Sequence, residues 1–335
     1  MPLELVPPPD VAPGNPMPLD WNDYVPRMRE LYEKARVQQY NPLTALDWST
    51  LDPGDFTAEE RLGIAYFMST DGTFENSGVP TFARAMIASY EEHAGDDTSK
   101  MLLTIARDEM NHDEICRKVA QTMVPGFPFE FDPKTELERV AQNNQRWISY
   151  TNSRYWSGYL KAFETRRFPA IVTAFILGEA AASVIFMRMS ECAEHPLFKH
   201  ALRLIGTDES RHFAFCNYLA TKEFGTFSDE EKATMTKNLR AAFVYISIIL
   251  DVPQAPFWEV PDGFTEAHLE FEAMASRGGL GVVSLKDRRD MWRKAALRVK
   301  ALTDRFGFDF PALPEVGVEG AETALTEEDF AVVTF

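Results

Sequence analysis

Cysteine is scarce in this chain of 335 residues: there are three, none in a Cys-x-x-Cys pair. A disulfide framework and a four-cysteine zinc site are excluded, and a reducing cytoplasm is the expected location. Basic charge is also short. Lys plus Arg number 34 against 51 Asp plus Glu, a formal net charge of −17. That excludes a general basic surface for nucleic acid and argues against an anionic membrane as partner. The start, MPLELVPPPD, lacks both a positive n-region and an apolar h-region, so no secretory signal is expected. Alternating apolar and polar residues bounded by turn signals are nearly absent, which disfavours β strands. Long apolar runs are rare too. Residues 169–187, PAIVTAFILGEAAASVIFM, form one, interrupted by Glu179. A carboxylate at the centre of a membrane span is costly, so this run reads as the core helix of a bundle.

What is present is helical. Residues 1–18 hold seven prolines and read as a disordered arm. Thr57-Ala58-Glu59-Glu60 is a capping-box pattern that opens a helix to about residue 70 and, after an interruption at Asp71-Gly72, on to about 93. Further helices are expected over about 96–123, 133–167, 170–194, 196–223, 228–251, 264–277 and 285–306. Pro196 suits a first helical position, and Ser228-Asp229-Glu230-Glu231 is another capping box. No Gly/Ser-rich linker divides the chain. The expected organisation is an arm over 1–18, one all-α domain over 19–314, and an acidic-hydrophobic tail over 315–335.

One internal repeat carries chemistry. Residues 108–116 read DEMNHDEIC and residues 208–216 read DESRHFAFC, 100 positions apart. In Glu-x-x-His the two side chains share one helix face. Glu109 with His112, and Glu209 with His212, can each aim a carboxylate and an imidazole at one point. A dimetal site in a four-helix core needs one more carboxylate from each of two other helices. Glu179 lies 30 residues before Glu209, and Glu75 lies 34 before Glu109. Asp71, one turn earlier, is the alternative to Glu75. Six such ligands with mixed oxygen and nitrogen donors suit iron or manganese better than zinc. Metal-bound imidazoles usually donate their other N–H to a carboxylate, so Asp108 is expected to hold His212 and Asp208 to hold His112. His93, His195, His200 and His268 have no partner motif and read as surface or structural residues.

On these residues the chain resembles the ferritin-like diiron-carboxylate superfamily, over roughly residues 45–225. The paired DExxH motifs, with Arg211 giving DESRH, are similar to those of the monooxygenases and desaturases. LDWSTLDPGDFTAEER (46–61) and STDGTFEN (69–76) look more like the small subunit of ribonucleotide reductase. Motif order and spacing also suit the p-aminobenzoate N-oxygenases. Two departures matter. Cys116 stands where the reductase subunit usually has its radical tyrosine. Ile205 stands where the N-oxygenases carry an additional histidine ligand.

The resemblance implies a ferritin-like, ribonucleotide reductase-like bundle holding two Fe ions, or Mn and Fe, with dioxygen as co-substrate. The expected activity is a monooxygenase-type oxidation of a small organic substrate in biosynthesis, by hydroxylation or amine N-oxygenation. An electron donor protein or reductant is expected as partner; a homodimer is compatible with all this. The alternative is a reductase-like subunit that makes an oxidant for a partner protein docked through the tail TEEDFAVVTF. Iron storage fits poorly, because it needs only four helices. Near Glu179, the small residues Gly178, Ala182 and Ser183 leave room for substrate, and Phe175 offers an apolar wall. Cys116 and Cys216, each one turn beyond a motif histidine, face the same region.

Overall fold

The computed structural model describes residues 24–162, 167–246 and 260–326, with side chains placed for 24–156, 167–245 and 260–326. The arm over 1–18 and the end of the tail, 327–335, lie outside the described residues. The fold is an all-α bundle, and among the described residues the only β features are two isolated bridges, Pro311 with Ala321 and Leu313 with Val318.

The helices are α1 (Pro26–Val37), α2 (Pro42–Ala45), α3 (Ala58–Glu91), α4 (Asp96–Met123), α5 (Glu136–Ala162), α6 (Phe168–Val172), α7 (Ile176–Cys192), α8 (Pro196–Glu223), α9 (Asp229–Ile246), α10 (Phe264–Arg277) and α11 (Leu285–Asp304). Several starts follow from the caps legible in the sequence. Thr57 Oγ1 accepts from Glu60 N at 3.2 Å while Glu60 Oε2 accepts from Thr57 N at 2.8 Å. The Ser228–Glu231 pair repeats this at 3.2 and 2.8 Å. Pro196 occupies the first turn of α8, whose N-cap is His195.

Two expectations about helix continuity are corrected. The interruption at Asp71-Gly72 does not occur: α3 runs through it and also through Pro80. Gly72 is buried because α4 comes close; a Cβ there would meet the Cβ of Cys116 at 3.0 Å. Around Pro80, Thr81 Oγ1 donates to Ser77 O at 2.9 Å, and Asn152 Nδ2 donates to Thr73 O at 3.2 Å. The apolar run expected as one helix over 170–194 is instead α6, a 3-10 turn over Thr173–Phe175, and α7. A run that is apolar on every side has no periodicity to mark such a break. Its consequence is to put Glu179 in the first turn of α7, where the helix dipole favours negative charge.

The most extensive helix contacts are between α3 and α4 and between α7 and α8, the two helix pairs that carry the repeated motif. The stretch Phe168–Cys192 is long and apolar enough to cross a membrane by composition, with a mean hydropathy of 2.0 in its most apolar window. In the fold it is spent on packing: Ile171, Val172, Ala174 and Leu177 are fully buried in the core. Beyond α11 the described residues stay attached to the core. Glu315 accepts from Arg240 at 2.7 and 2.9 Å, and Val316 and Val318 are buried against the core.

Candidate metal centre

Four helices converge on one buried cluster. α3 contributes Glu75, α4 Glu109 and His112, α7 Glu179, and α8 Glu209 and His212. His112 Nδ1 lies 3.0 Å from Glu75 Oε2 and 3.3 Å from Glu209 Oε1. His212 Nδ1 lies 3.3 Å from Glu109 Oε1 and 3.5 Å from Glu179 Oε2. Donor atoms of Glu75, Glu109, His112 and Glu209 fall within 4.8 Å of one another, as do those of Glu109, Glu179 and His212. The cluster can thus bind a two-metal centre, with Glu109 common to both halves.

The outer sides of the imidazoles are tied across the bundle. His112 Nε2 faces Asp208 Oδ2 at 3.2 Å, and His212 Nε2 faces Asp108 Oδ2 at 3.3 Å. Arg211 Nη2 donates to both aspartates at 2.6 Å, and its Nη1 donates to Gln38 Oε1 at 2.7 Å. These bonds turn both Nδ1 atoms inward.

Burial acts strongly on every group of the cluster, and neighbouring charges decide which way some of them shift. It pushes Glu109 well above the usual carboxylate range, with Glu75 and Glu209 adding to it and His212 opposing. Burial, with Glu179 beside it, raises Glu209 to about 7 against the pull of both histidines. Asp208 goes the other way: burial would raise it, but the bond from His112 and the charge of Arg211 hold it at about 2. Burial opposes charge on His112 and His212, yet the surrounding anionic groups lift both pKa values well above the ordinary one. A metal ion competes with these protons for the same lone pairs.

Beside the cluster is a cavity of about 180 Å³. Glu75, Glu109, Glu179 and Glu209 line it on one side, and Phe175, Gly178 and Ala182 also line it. Ser183, Cys116 and Cys216 do not. One residue is about 100° of helix rotation, and Ser183 lies past Ala182 in an outer groove with Arg188, Phe213 and Tyr218. Cys116 is wedged against Gly72 between α3 and α4, and the Cys216 thiol sits 4.0 Å from Val172 O; burial pushes both thiols up. Asp71 lines the cavity rather than joining the histidines, and burial followed by Glu75 and Glu272 raises its pKa well above the usual range. His268, read as structural, bonds Tyr66 Oη at 2.8 Å and lies 3.4 Å from Glu272.

Several site residues escape a reading of the sequence. Gly78 makes room for Glu109: a Cβ there would lie 2.6 Å from Glu109 Oε2. A glycine one turn after Glu75 was a usable signal, because close approach is what glycine permits. Tyr40, between α2 and α1, stands beside His112, Asp208 and Asp108; burial raises its phenol pKa against the pull of His112. Trp156, Tyr245 and Trp292 complete the cavity wall from α5, α9 and α11.

No protein-family model matches the chain, and no curated protein sequence matches it. Solved structures do. An R2-like ligand-binding oxidase with aerobically reconstituted Mn/Fe cofactor superposes with a TM-score of 0.62 at 17% identity, covering 84% of this chain and 93% of the other. A single-site variant of such an oxidase, also with an aerobically reconstituted Mn/Fe cofactor, gives 0.62 at 17% identity over 85% and 95%. A second variant gives 0.62 at 18% identity over 84% and 94%. The chain therefore has the ferritin-like, R2-like helical fold.

Proposed function

We propose that this protein is a dioxygen-using oxidoreductase with a two-metal centre that oxidises a small organic molecule. The observation that carries the reading is the set of buried donor atoms left without well-aligned hydrogen bonds. Glu179 Oε2, Glu209 Oε1 and His212 Nδ1 are sealed from solvent and make no well-aligned hydrogen bond, although His112 Nδ1 lies 3.3 Å from Glu209 Oε1 and His212 Nδ1 lies 3.5 Å from Glu179 Oε2. Unsatisfied buried polar atoms are costly, and three converging ones fit cations as their natural partners.

The donor set suits iron, or manganese with iron, as in the oxidases that share the fold. Such a centre, when bound, supplies the electrons that reduce dioxygen. The chain does the rest. Glu75, Glu109, His112, Glu179, Glu209 and His212 hold the metals. Asp108, Asp208 and Arg211 fix the imidazoles. Aromatic side chains line the cavity in which substrate meets the centre. Hydroxylation or amine N-oxygenation is the reaction type that this arrangement serves, with electrons from a donor protein or reductant in the cytoplasm. Cys116 at the usual position of the radical tyrosine supports a small-molecule oxidase over a radical-generating subunit.

The test is anaerobic loading with ferrous iron, or with manganese and iron, followed by admission of dioxygen. Expected are about two metals per chain and dioxygen uptake that depends on them. Loaded protein that consumes no dioxygen would sink the proposal.

A further inference from the structure

The outer groove that holds Ser183 runs between α7 and α8 and is walled by α1 and α11. It encloses about 870 Å³. Its charge is opposite to that of the chain as a whole. Arg27 from α1, Arg188 from α7 and Arg298 from α11 line it, against one carboxylate, Glu191. Glu30 and Glu191 face Arg27 and Arg188 at 2.6 and 2.8 Å, but both pairs are exposed contacts within one helix, a kind that contributes little. Arg298 has no carboxylate partner among the described residues; its guanidinium lies 4.2 Å from the centre of the Phe213 ring. Phe213, Tyr218, Met187 and the exposed Val184 add apolar surface.

One segment complements that surface and begins at its edge. Residues 1–23 lie outside the described residues. They carry Glu4, Asp10, Asp20 and Asp23 and no Lys, Arg or His. The last eight, PMPLDWND over 16–23, combine Asp20 and Asp23 with Met17, Leu19 and Trp21. Asp23 precedes Arg27 by four residues, so at most about 14 Å of chain separates them. Along α8 the groove extends from Ser210 to Thr221, a rise of about 16 Å. At about 3.1 Å per residue, roughly five residues of a proline-rich strand cover that length. Aromatic-lined grooves are a recurring receptor for proline-rich segments. A tethered segment also meets its site at an effective concentration on the order of millimolar, so modest contacts suffice.

We propose that this groove is the docking site of the chain's own residues 16–23, with Asp20 and Asp23 paired to its arginines and Trp21 on its apolar surface. The arm then covers the outer face of α7 and α8, where Ser210 follows Glu209 and Phe213 follows His212. Metal binding is not required for this contact.

Pulsed electron spin resonance on the full chain tests it. Cys192 is exposed and adjoins Glu191 at one end of the groove, whereas Cys116 and Cys216 are buried, so a spin label takes Cys192. Asn15→Cys carries the second label. A docked arm gives one narrow distance distribution. Arg188→Glu with Arg298→Glu should lose most of that peak, and so should about 1 M salt, which screens charge beyond about 3 Å without any substitution. Arg293→Glu, also on α11 but not part of the groove, should retain it. A broad distribution in the otherwise unaltered chain overturns the inference and leaves the groove to an acidic partner. A narrow peak that survives both the double reversal and salt overturns it as well. Mixing chains labelled only at Cys192 with Cys192→Ser chains labelled only at position 15 identifies the owner of the arm: a peak between different chains assigns the groove to a second copy and overturns docking within one chain.

Discussion

His112 on α4 and Asp208 on α8 face each other at 3.2 Å, and His212 with Asp108 repeats the relationship in the opposite sense at 3.3 Å. Each repeat thus supplies the aspartate that orients the other repeat's histidine. Asp108→Asn or Asp208→Asn is expected to weaken metal binding roughly 10–100-fold without unfolding the chain. Metal titration of the two variants checks this, and wild-type affinity in both would return them to ordinary helix charges.

Arg211 is the shared counter-charge of that pair, buried and bonded to both aspartates at 2.6 Å. Arg211→Met removes the cation that two buried carboxylates share and leaves each with its imidazole alone. A loss of about 3–5 kcal/mol is expected, as for breaking one side of a buried ion pair. Denaturant unfolding of the metal-free protein measures it; a change within the error of the midpoint would show that the aspartates find compensation elsewhere.

Glu109 belongs to both halves of the cluster, whereas Glu75 and Glu179 each belong to one. Glu109→Ala is therefore expected to reduce binding at both metal positions, and Glu75→Ala or Glu179→Ala at one. Elemental analysis after anaerobic loading distinguishes the patterns. Gly78→Ala tests the same residue from behind. Its Cβ would meet Glu109 Oε2 at 2.6 Å, so the carboxylate must swing away. A loss of metal affinity of roughly tenfold is expected, the size of effect seen when support of a ligand is disturbed, with the melting temperature of the metal-free protein little changed.

The buried protons predict a pH dependence. Glu209 is raised from 4.5 to about 7, so across that window the folded chain binds a proton that the unfolded chain has released. Stability of the metal-free protein from this group falls as pH rises through the window. The raised pKa values of His112 and His212 act in the same direction, their contribution being lost as pH rises through them. Metal binding needs these groups deprotonated. The rise in melting temperature on adding metal should therefore be larger at about pH 7.5 than at about pH 5.5. Equal shifts at both would mean that these groups are not the ligands.

The sequence by itself determined which donor groups the cluster brings together. Glu-x-x-His puts two ligands on one helix face whatever surrounds it, and two copies with Glu179 on a helix without another charge over 169–187 announce a buried ionic cluster. Helix starts at Thr57, Pro196 and Ser228 were equally legible, because a cap is a local bond between residues three apart or a fixed proline φ. Tertiary structure alone decided what depends on approach between distant elements. Asp71-Gly72 reads as a break, yet α4 packing onto α3 carries the helix through it. The break before α7 has no marker in an evenly apolar run, yet it sets the turn from which Glu179 projects. Ser183 and Ala182 are neighbours in sequence, but one helix step separates an outer groove from the cavity. Tyr40, Gly78 and the aromatic wall from α5, α9 and α11 come from segments with no motif of their own. Local spacing encodes which groups can share a face; which faces meet is a matter of long-range packing, and periodicity along one helix carries no record of it.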